Sequence, residues 1–195
     1  MEFADVIRHR RVVRNYTDQP VDPASVERIL DVARRAPSAG FSQGQGFVVV
    51  TEPGRRQRIA ELADEPAYVA QGFDPWISRA PVHVVVCVSE KVYRDRYSEP
   101  DKAGTDAAQD WPVPYWWVDA GAAMMLILLA AVDEGLAAGF LGSHAMPELK
   151  RELGIPEEME PIGIVTIGHP APDRRSGSLA KGRKDAAEVV HREAW

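Results

Sequence analysis

The segment Arg10-Arg11-Val12-Val13-Arg14-Asn15-Tyr16 spaces guanidinium groups in a way that can do chemistry. If Val12 to Asn15 is extended, Arg10, Val12 and Arg14 share one face at period two. Two guanidinium groups so placed form a fork for a phosphate or a carboxylate. The same pattern also suits a solvent-facing edge strand that uses charge against aggregation. Near the other end, Lys181-Gly182-Arg183 would set two more cations side by side in an extended piece. A basic tail without fixed structure would look alike, but Val189 to Trp195 carries apolar residues that need something to pack on.

Two small-residue segments offer a different chemistry. Ala36-Pro37-Ser38-Ala39-Gly40-Phe41-Ser42-Gln43-Gly44-Gln45-Gly46 gathers hydroxyls, backbone amides and two Gln amides behind a helix. Such a loop can serve the edge of a heteroaromatic ring, or simply connect two elements. Ala138-Gly139-Phe140-Leu141-Gly142-Ser143 carries two glycines, which allow close backbone approach to a flat ligand or make a plain turn. The aromatic run Trp111-Pro112-Val113-Pro114-Tyr115-Trp116-Trp117 can stack on a planar substrate or pack in an interface. His144 and His169 have no second ligand at metal spacing, so hydrogen bonding at turns is their expected role and no metal site is expected. Cys87, the single cysteine, lies in the apolar run Val84 to Val88 and reads as a core thiol.

These groups need a scaffold. The 195 residues suffice for one domain with a sizeable core, and 45% hydrophobic with 27% charged residues is a globular balance. A formal charge of −6 argues against a nucleic-acid-coating surface. The cations are nevertheless clustered, four of the 23 Lys and Arg in residues 8–14 and five in 174–184, which suits a small anionic ligand. Met1 to Ile7 carries no apolar signal stretch, and Ala120 to Val132 is too short to span a bilayer, so a cytoplasmic location without membrane insertion is expected.

Helices are predicted over 2–9, from Pro23 behind the N-cap Asp22, over 54–62, 117–134 and 147–153. Strands are predicted over 47–51, 82–88, 138–141 and 162–168, with an extended arm at the C-terminus. Residues 89–115 read as a long irregular stretch of the kind that forms a lid. The helix from Trp117 is apolar on nearly every side and reads as buried. Irregular connections between alternating helices and strands favour an α+β sandwich over a doubly wound sheet.

Taken together, the four motifs resemble the nitroreductase family, over essentially the whole chain. Members open with an Arg-rich segment like Arg10 to Tyr16. They follow the next helix with a Pro-Ser-x-x-Asn-x-Gln-Pro-Trp-like loop and carry a Leu-Gly-Ser-like segment after the long helix. They close with a Gly-Tyr-Pro-like turn, here Gly168-His169-Pro170, and a Lys-x-Arg-like pair. The resemblance implies a single domain over 1–195, a three-layer sandwich with a central, mostly antiparallel sheet, a homodimer built on the central helix, and non-covalent FMN reduced by NAD(P)H. It assigns Arg10, Arg14, Lys181 and Arg183 to the FMN phosphate and ribityl chain, with Arg11 and the Val12 backbone beside them. It assigns Pro37, Ser38, Ala39 and Gln43 to ring and ribityl contacts, and Leu141, Gly142 and Ser143 to the segment passing near the ring. Phe41, Trp111 and Tyr115 fall on the substrate side.

The implied reaction passes electrons to an aromatic nitro or quinone-like acceptor by a ping-pong route. Because the flavin does the redox chemistry, no catalytic side chain is assigned. Two departures bear on the acceptor. Phe41 stands where the family loop carries Asn, and Gly44-Gln45 where it carries Pro-Trp. An oxidase or dehydrogenase of one metabolite, or a flavin-storage protein, remain the other readings of the same residues.

Overall fold

The computed structural model describes residues 1–102, 111–174 and 177–195. Its centre is a four-stranded antiparallel sheet in the order β1-β2-β4-β3, from β1 (Gln45–Val50), β2 (Val82–Val88), β3 (Ala137–Gly142) and β4 (Glu160–Gly168). Every residue of β2 is buried, because helices cover both faces of the strand. Alternation divides its side chains. Val84 and Val86 join Ile29, Ala33, Ile127 and Ala131 on one face, while Val85 and Cys87 join Ile59, Leu149 and Ile164 on the other. The first layer is α2 (Pro23–Ala33) and α6 (Tyr115–Asp133); the opposite layer includes α3 (Pro53–Leu62), α4 (Glu65–Ala70) and α7 (Leu149–Glu152). This is the three-layer α+β sandwich expected. Around it lie α1 (Phe3–His9), α5 (Glu90–Tyr97) and α8 (Ala186–Val189), the last in an exposed C-terminal arm.

Local chemistry sets several boundaries. Asp22 caps α2, its carboxylate accepting from the Ala24 N–H at 3.0 Å, with Pro23 in the first turn. The Cys87 thiol, buried in the sheet, is pushed up to about 11, as befits a core residue.

Three expectations change. The stretch 89–115 is not irregular throughout. Ser89 caps α5, and Pro100–Lys102 forms a short 3-10 turn; the part of the expected lid at 103–110 lies outside the described residues. The segment α4 was not anticipated, since its six residues are too few to show a period. The long helix is buried on one face only. Ala120, Ala123, Ile127 and Ala131 pack inward, whereas Trp117, Val118 (52% exposed) and Met125 face solvent. By length and hydropathy α6 would serve as a membrane span, yet its inner face is packed on the sheet in the manner of a core helix.

Candidate active site

The two ends of the chain meet. Val12 bridges Ala138 at the outer edge of β3, and the Val13 N–H donates to the Ala138 carbonyl at 3.0 Å. The returning tail runs along the same segment. Tyr16 bridges Pro170, the Ala171 N–H donates to Asn15 O at 3.1 Å, and the Arg14 N–H donates to Asp173 Oδ2 at 2.8 Å. As alternation requires, Val13 is buried while Arg10, Val12 and Arg14 face outward.

A cleft of about 450 Å³ opens there, lined by Arg10, Arg11, Val12, Arg14, Arg174 and Arg183 together with Asp173 and Leu179. A second depression of about 390 Å³ continues it, sharing Arg14, Asp173 and Arg174 and adding Tyr68, Phe73 and Asp74. Tyr68 and Phe73 stack at 4.4 Å, Arg174 lies over Phe73 at 5.0 Å, and Arg14 lies over Trp76 at 5.9 Å.

Elsewhere Arg28, Arg34, Arg58 and Arg96 are paired with carboxylates. Among the described residues Arg10, Arg11, Arg14 and Arg183 have no such ion pair, although they converge on one cleft. Convergent unpaired guanidinium groups are the donor set that an anionic phosphate needs. Of the two carboxylates there, Asp173 is held by the Arg14 backbone N–H, and Asp74, in the extension, lies 3.9 Å from the Arg79 guanidinium. The aromatic extension gives a planar ring a surface to lie on. The residues therefore fit a ring-bearing phosphate such as FMN.

The other predicted residues lie apart from this cleft. Lys181 ends a 3-10 turn over Gly177–Lys181, so the extended pairing expected for Lys181 and Arg183 does not form, and Arg183 alone of the two lines the cleft. Pro37, Ser38, Ala39, Phe41 and Gln43 sit on a loop beside the start of α6. Buried Asp119 accepts there from the Ala39 N–H and the Tyr93 hydroxyl, both at 2.8 Å. Burial first, then the hydrogen bond to Asp119, pushes the Tyr93 phenol up, so it stays a donor. Ser38 Oγ accepts from the Gln43 N–H at 2.9 Å.

This loop is strained. Gly40, Phe41 and Gln43 all have left-handed backbone, with φ of 62°, 56° and 53°. A Cβ on Gly40 would stand 2.6 Å from the Tyr97 ring, which would have to shift, on a backbone that already favours glycine. Phe41, 74% exposed, is held out into solvent.

Leu141 packs partly into the core beneath β3, and Gly142 and Ser143 follow it at the strand's end. Gly139 does allow a close approach, but to the Val13 carbonyl rather than to a ligand. Trp111 is not a free lid residue. It stacks with Trp116 at 6.3 Å and makes edge contacts to Tyr97 at 4.6 Å and Tyr115 at 5.3 Å. Tyr115 is the first residue of α6 rather than part of a loop. The two adjacent tryptophans separate: Trp116 is buried in its own chain, and Trp117 is exposed.

Sequence reasoning missed Tyr68, Phe73, Asp74, Asp173 and Arg174 as cleft residues. Tyr68 comes from the short helix α4 and Phe73 and Asp74 from the turn after it, neither with a periodic signal, and the last two gain meaning only from where the tail returns.

The comparisons agree with this architecture. A family model described as Nitroreductase family matches residues 7–169. The chain belongs to the nitroreductase family. It is 30% identical to an FMN reductase [NAD(P)H] of Bacillus subtilis, over all of this chain and 74% of that protein. It is 29% identical over all of its length to an Archaeoglobus fulgidus protein named for NADH dehydrogenase and NAD(P)H nitroreductase activity, covering 99% of that protein. Among solved structures it resembles NfrA2 of B. megaterium, with a TM-score of 0.77 at 24% identity over all of this chain and 75% of that one. With this membership the chain is an FMN-dependent NAD(P)H oxidoreductase.

Proposed function

We propose that the cleft between the first strand and the tail holds FMN by its phosphate, and that the enzyme reduces an aromatic nitro or quinone-like acceptor by a ping-pong route. The observation that carries this reading is the convergence of Arg10, Arg14 and Arg183, from opposite ends of an acidic chain, on one cleft. Arg11 and the Val12 backbone would stand beside the phosphate, and Tyr68 and Phe73 would wall the ring side. The redox chemistry, uptake of hydride from NAD(P)H and its delivery to an acceptor, is the flavin's. The tasks left to the chain are to fix the phosphate, orient the ring and admit a planar acceptor. None needs a side-chain acid or base, and a cytoplasmic setting supplies the NAD(P)H.

The working unit in this proposal is a homodimer. Trp117, Val118 and Met125 leave one face of α6 apolar and open, and Val189, Val190 and Trp195 of the arm (Trp195 99% exposed) have no cover of their own. Such faces mark an interface. The Ser38–Gln43 loop is tied to Asp119, whereas Arg11 and Val132 border one depression near the far end of the helix. Thirteen residues of helix separate those ends by ~20 Å. Two antiparallel copies of α6 related by a twofold axis would bring the loop of one chain to the cleft of the other. Ser38, Ala39, Gln43 and Phe41 would then serve the partner's flavin, with Leu141 to Ser143 and Tyr115 nearby.

Anaerobic mixing of the FMN-loaded enzyme with NADPH or NADH tests the reading. Fast bleaching of the flavin, followed by recolouring with a quinone or nitroaromatic, is expected. Absence of bleaching with either nucleotide would turn the reading towards flavin storage.

A further inference from the structure

The cations of the first strand are aimed by a segment with little regular structure around it. Arg10 to Tyr16 is tied in by two isolated bridges, Val12 to Ala138 and Tyr16 to Pro170, with no continuous ladder between them. A buried polar joint adds to these ties. The Tyr16 side chain is 1% exposed, and its hydroxyl reaches back to the Val13 carbonyl at 3.0 Å and across to Thr166 Oγ1 at 2.8 Å and Thr166 O at 3.2 Å. A phenol has one proton. Donating it to Val13 O while accepting from the Thr166 hydroxyl satisfies both partners in a place water does not reach. Burial keeps that phenol protonated at any working pH, pushing it well above its usual range.

We propose that Tyr16 is a positioning residue for flavin phosphate binding: its hydroxyl locks the Val13 carbonyl to β4 and thereby sets where Arg14, Arg10 and the tail's Arg183 stand. The proposal rests on the cleft being the phosphate site. Three further observations support it. Val13 O lies against β3 so closely that a Cβ on Gly139 would stand 2.5 Å from it, so the strand has one seat and the hydroxyl holds it there. The next residue, Arg14, is the one that lies over Trp76 and lines both depressions. The tail is registered on the same strand through Asn15, whose amide donates to Pro172 O at 2.8 Å, and through Arg14 N–H on Asp173. A shift of Val13 therefore moves the cations of both chain ends together.

Tyr16→Phe keeps the ring in the core and removes the hydroxyl alone. Apo-protein titrated with FMN and with riboflavin reads the outcome. We expect FMN to bind about two- to tenfold more weakly, the range of one ordinary hydrogen bond, and riboflavin to bind as before. Thr166→Val leaves the bond to Val13 O and should show a smaller loss of the same kind, while Thr166→Ser should behave as wild type. If Tyr16→Phe does not fold, Thr166→Val against Thr166→Ser decides.

A parallel loss of both flavins would mean that Tyr16 merely stabilises the fold, and an unchanged FMN preference would mean that it does nothing for the phosphate. Either result overturns the proposal. Arg14→Ala and Arg183→Ala run alongside. If they shift the FMN preference and Tyr16→Phe does not, the positioning role alone fails. If they too leave it unchanged, the phosphate cleft itself is wrong and the proposal falls with it.

Discussion

The cleft at Arg10–Arg14 and the loop at Ser38–Gln43 are built on opposite principles. The cleft is closed by one chain: its walls are stitched to each other by backbone bonds and by the buried Asn15 side chain, and Tyr16 pins the first wall to β4. The loop is held from outside by side chains, Asp119 accepting from the Ala39 N–H and Arg96 donating to the Gly40 carbonyl at 2.9 Å, and it displays residues in left-handed conformations to solvent. A left-handed bulky residue costs about 1–3 kcal/mol, and strain of that kind persists where the surroundings enforce it, often at functional sites. In the proposed reading, phosphate recognition is complete within a protomer and the loop acts on the flavin of a second copy.

Breaking the dimer should have the largest effect. Val118→Glu with Met125→Glu would place charges on the open face of α6. Light scattering should then report a monomer, and, if the partner's loop serves the flavin as proposed, flavin affinity should fall by more than about two powers of ten. A monomer that binds FMN as tightly as wild type would show that the loop plays no part in the site.

The clamp comes next. Arg14→Ala or Arg183→Ala should weaken FMN by about one to two powers of ten and leave riboflavin nearly unaffected, as expected for a charge-assisted bond of ~1.5–3 kcal/mol. If only Arg183→Ala is silent, the tail contributes shape without charge.

Acid tests the central sheet, where His83 stands opposite Thr166 in the β2–β4 register. His83 is fully buried, donates through Nε2 to Ile77 O at 2.7 Å, and has an unpartnered Nδ1. Burial, and secondarily the Arg56 charge, pushes its pKa down to about 4. Its folded pKa lies below the ordinary value near ~6.5, so the unfolded chain binds the extra proton between the two. Stability is full above that ordinary value and falls with pH towards 4. Denaturant titrations should find about 2 kcal/mol less stability at about pH 5 than at about pH 7, a difference that His83→Gln should remove.

The smallest effect concerns strain. Phe41→Gly should raise stability by up to about 1 kcal/mol, seen as a small gain in melting temperature, because glycine occupies left-handed backbone freely. The same variant should raise the acceptor's KM more than it lowers kcat. A fall in melting temperature would mean that Phe41 packs against something in the assembled enzyme.

Much of the scaffold was legible in the residues. Asp22-Pro23 marks a helix start by cap chemistry, and Val82 to Val88 marks a doubly covered strand by its unbroken apolar run. The extended Arg10 to Arg14 face follows from period two alone. The long helix misled, because an all-round apolar surface does not say whether its cover comes from the same chain. The stretch 89–115 misled for another reason. The sequence of α5 is polar on most sides, and only Tyr93, reaching Asp119, is fixed in the core.

By itself the sequence determined the local facts: which segments repeat with which period, where caps and breakers fall, and which residues carry charge. Those are governed by neighbours within a few positions. Only the tertiary structure decided that the tail lies along the first strand, that Arg183 faces the cleft and Lys181 does not, and that Phe73 and Arg174 complete it. These follow from contacts between residues up to 159 positions apart, as between Arg14 and Asp173, and no local pattern encodes which distant backbone group a buried hydroxyl or carboxylate will find.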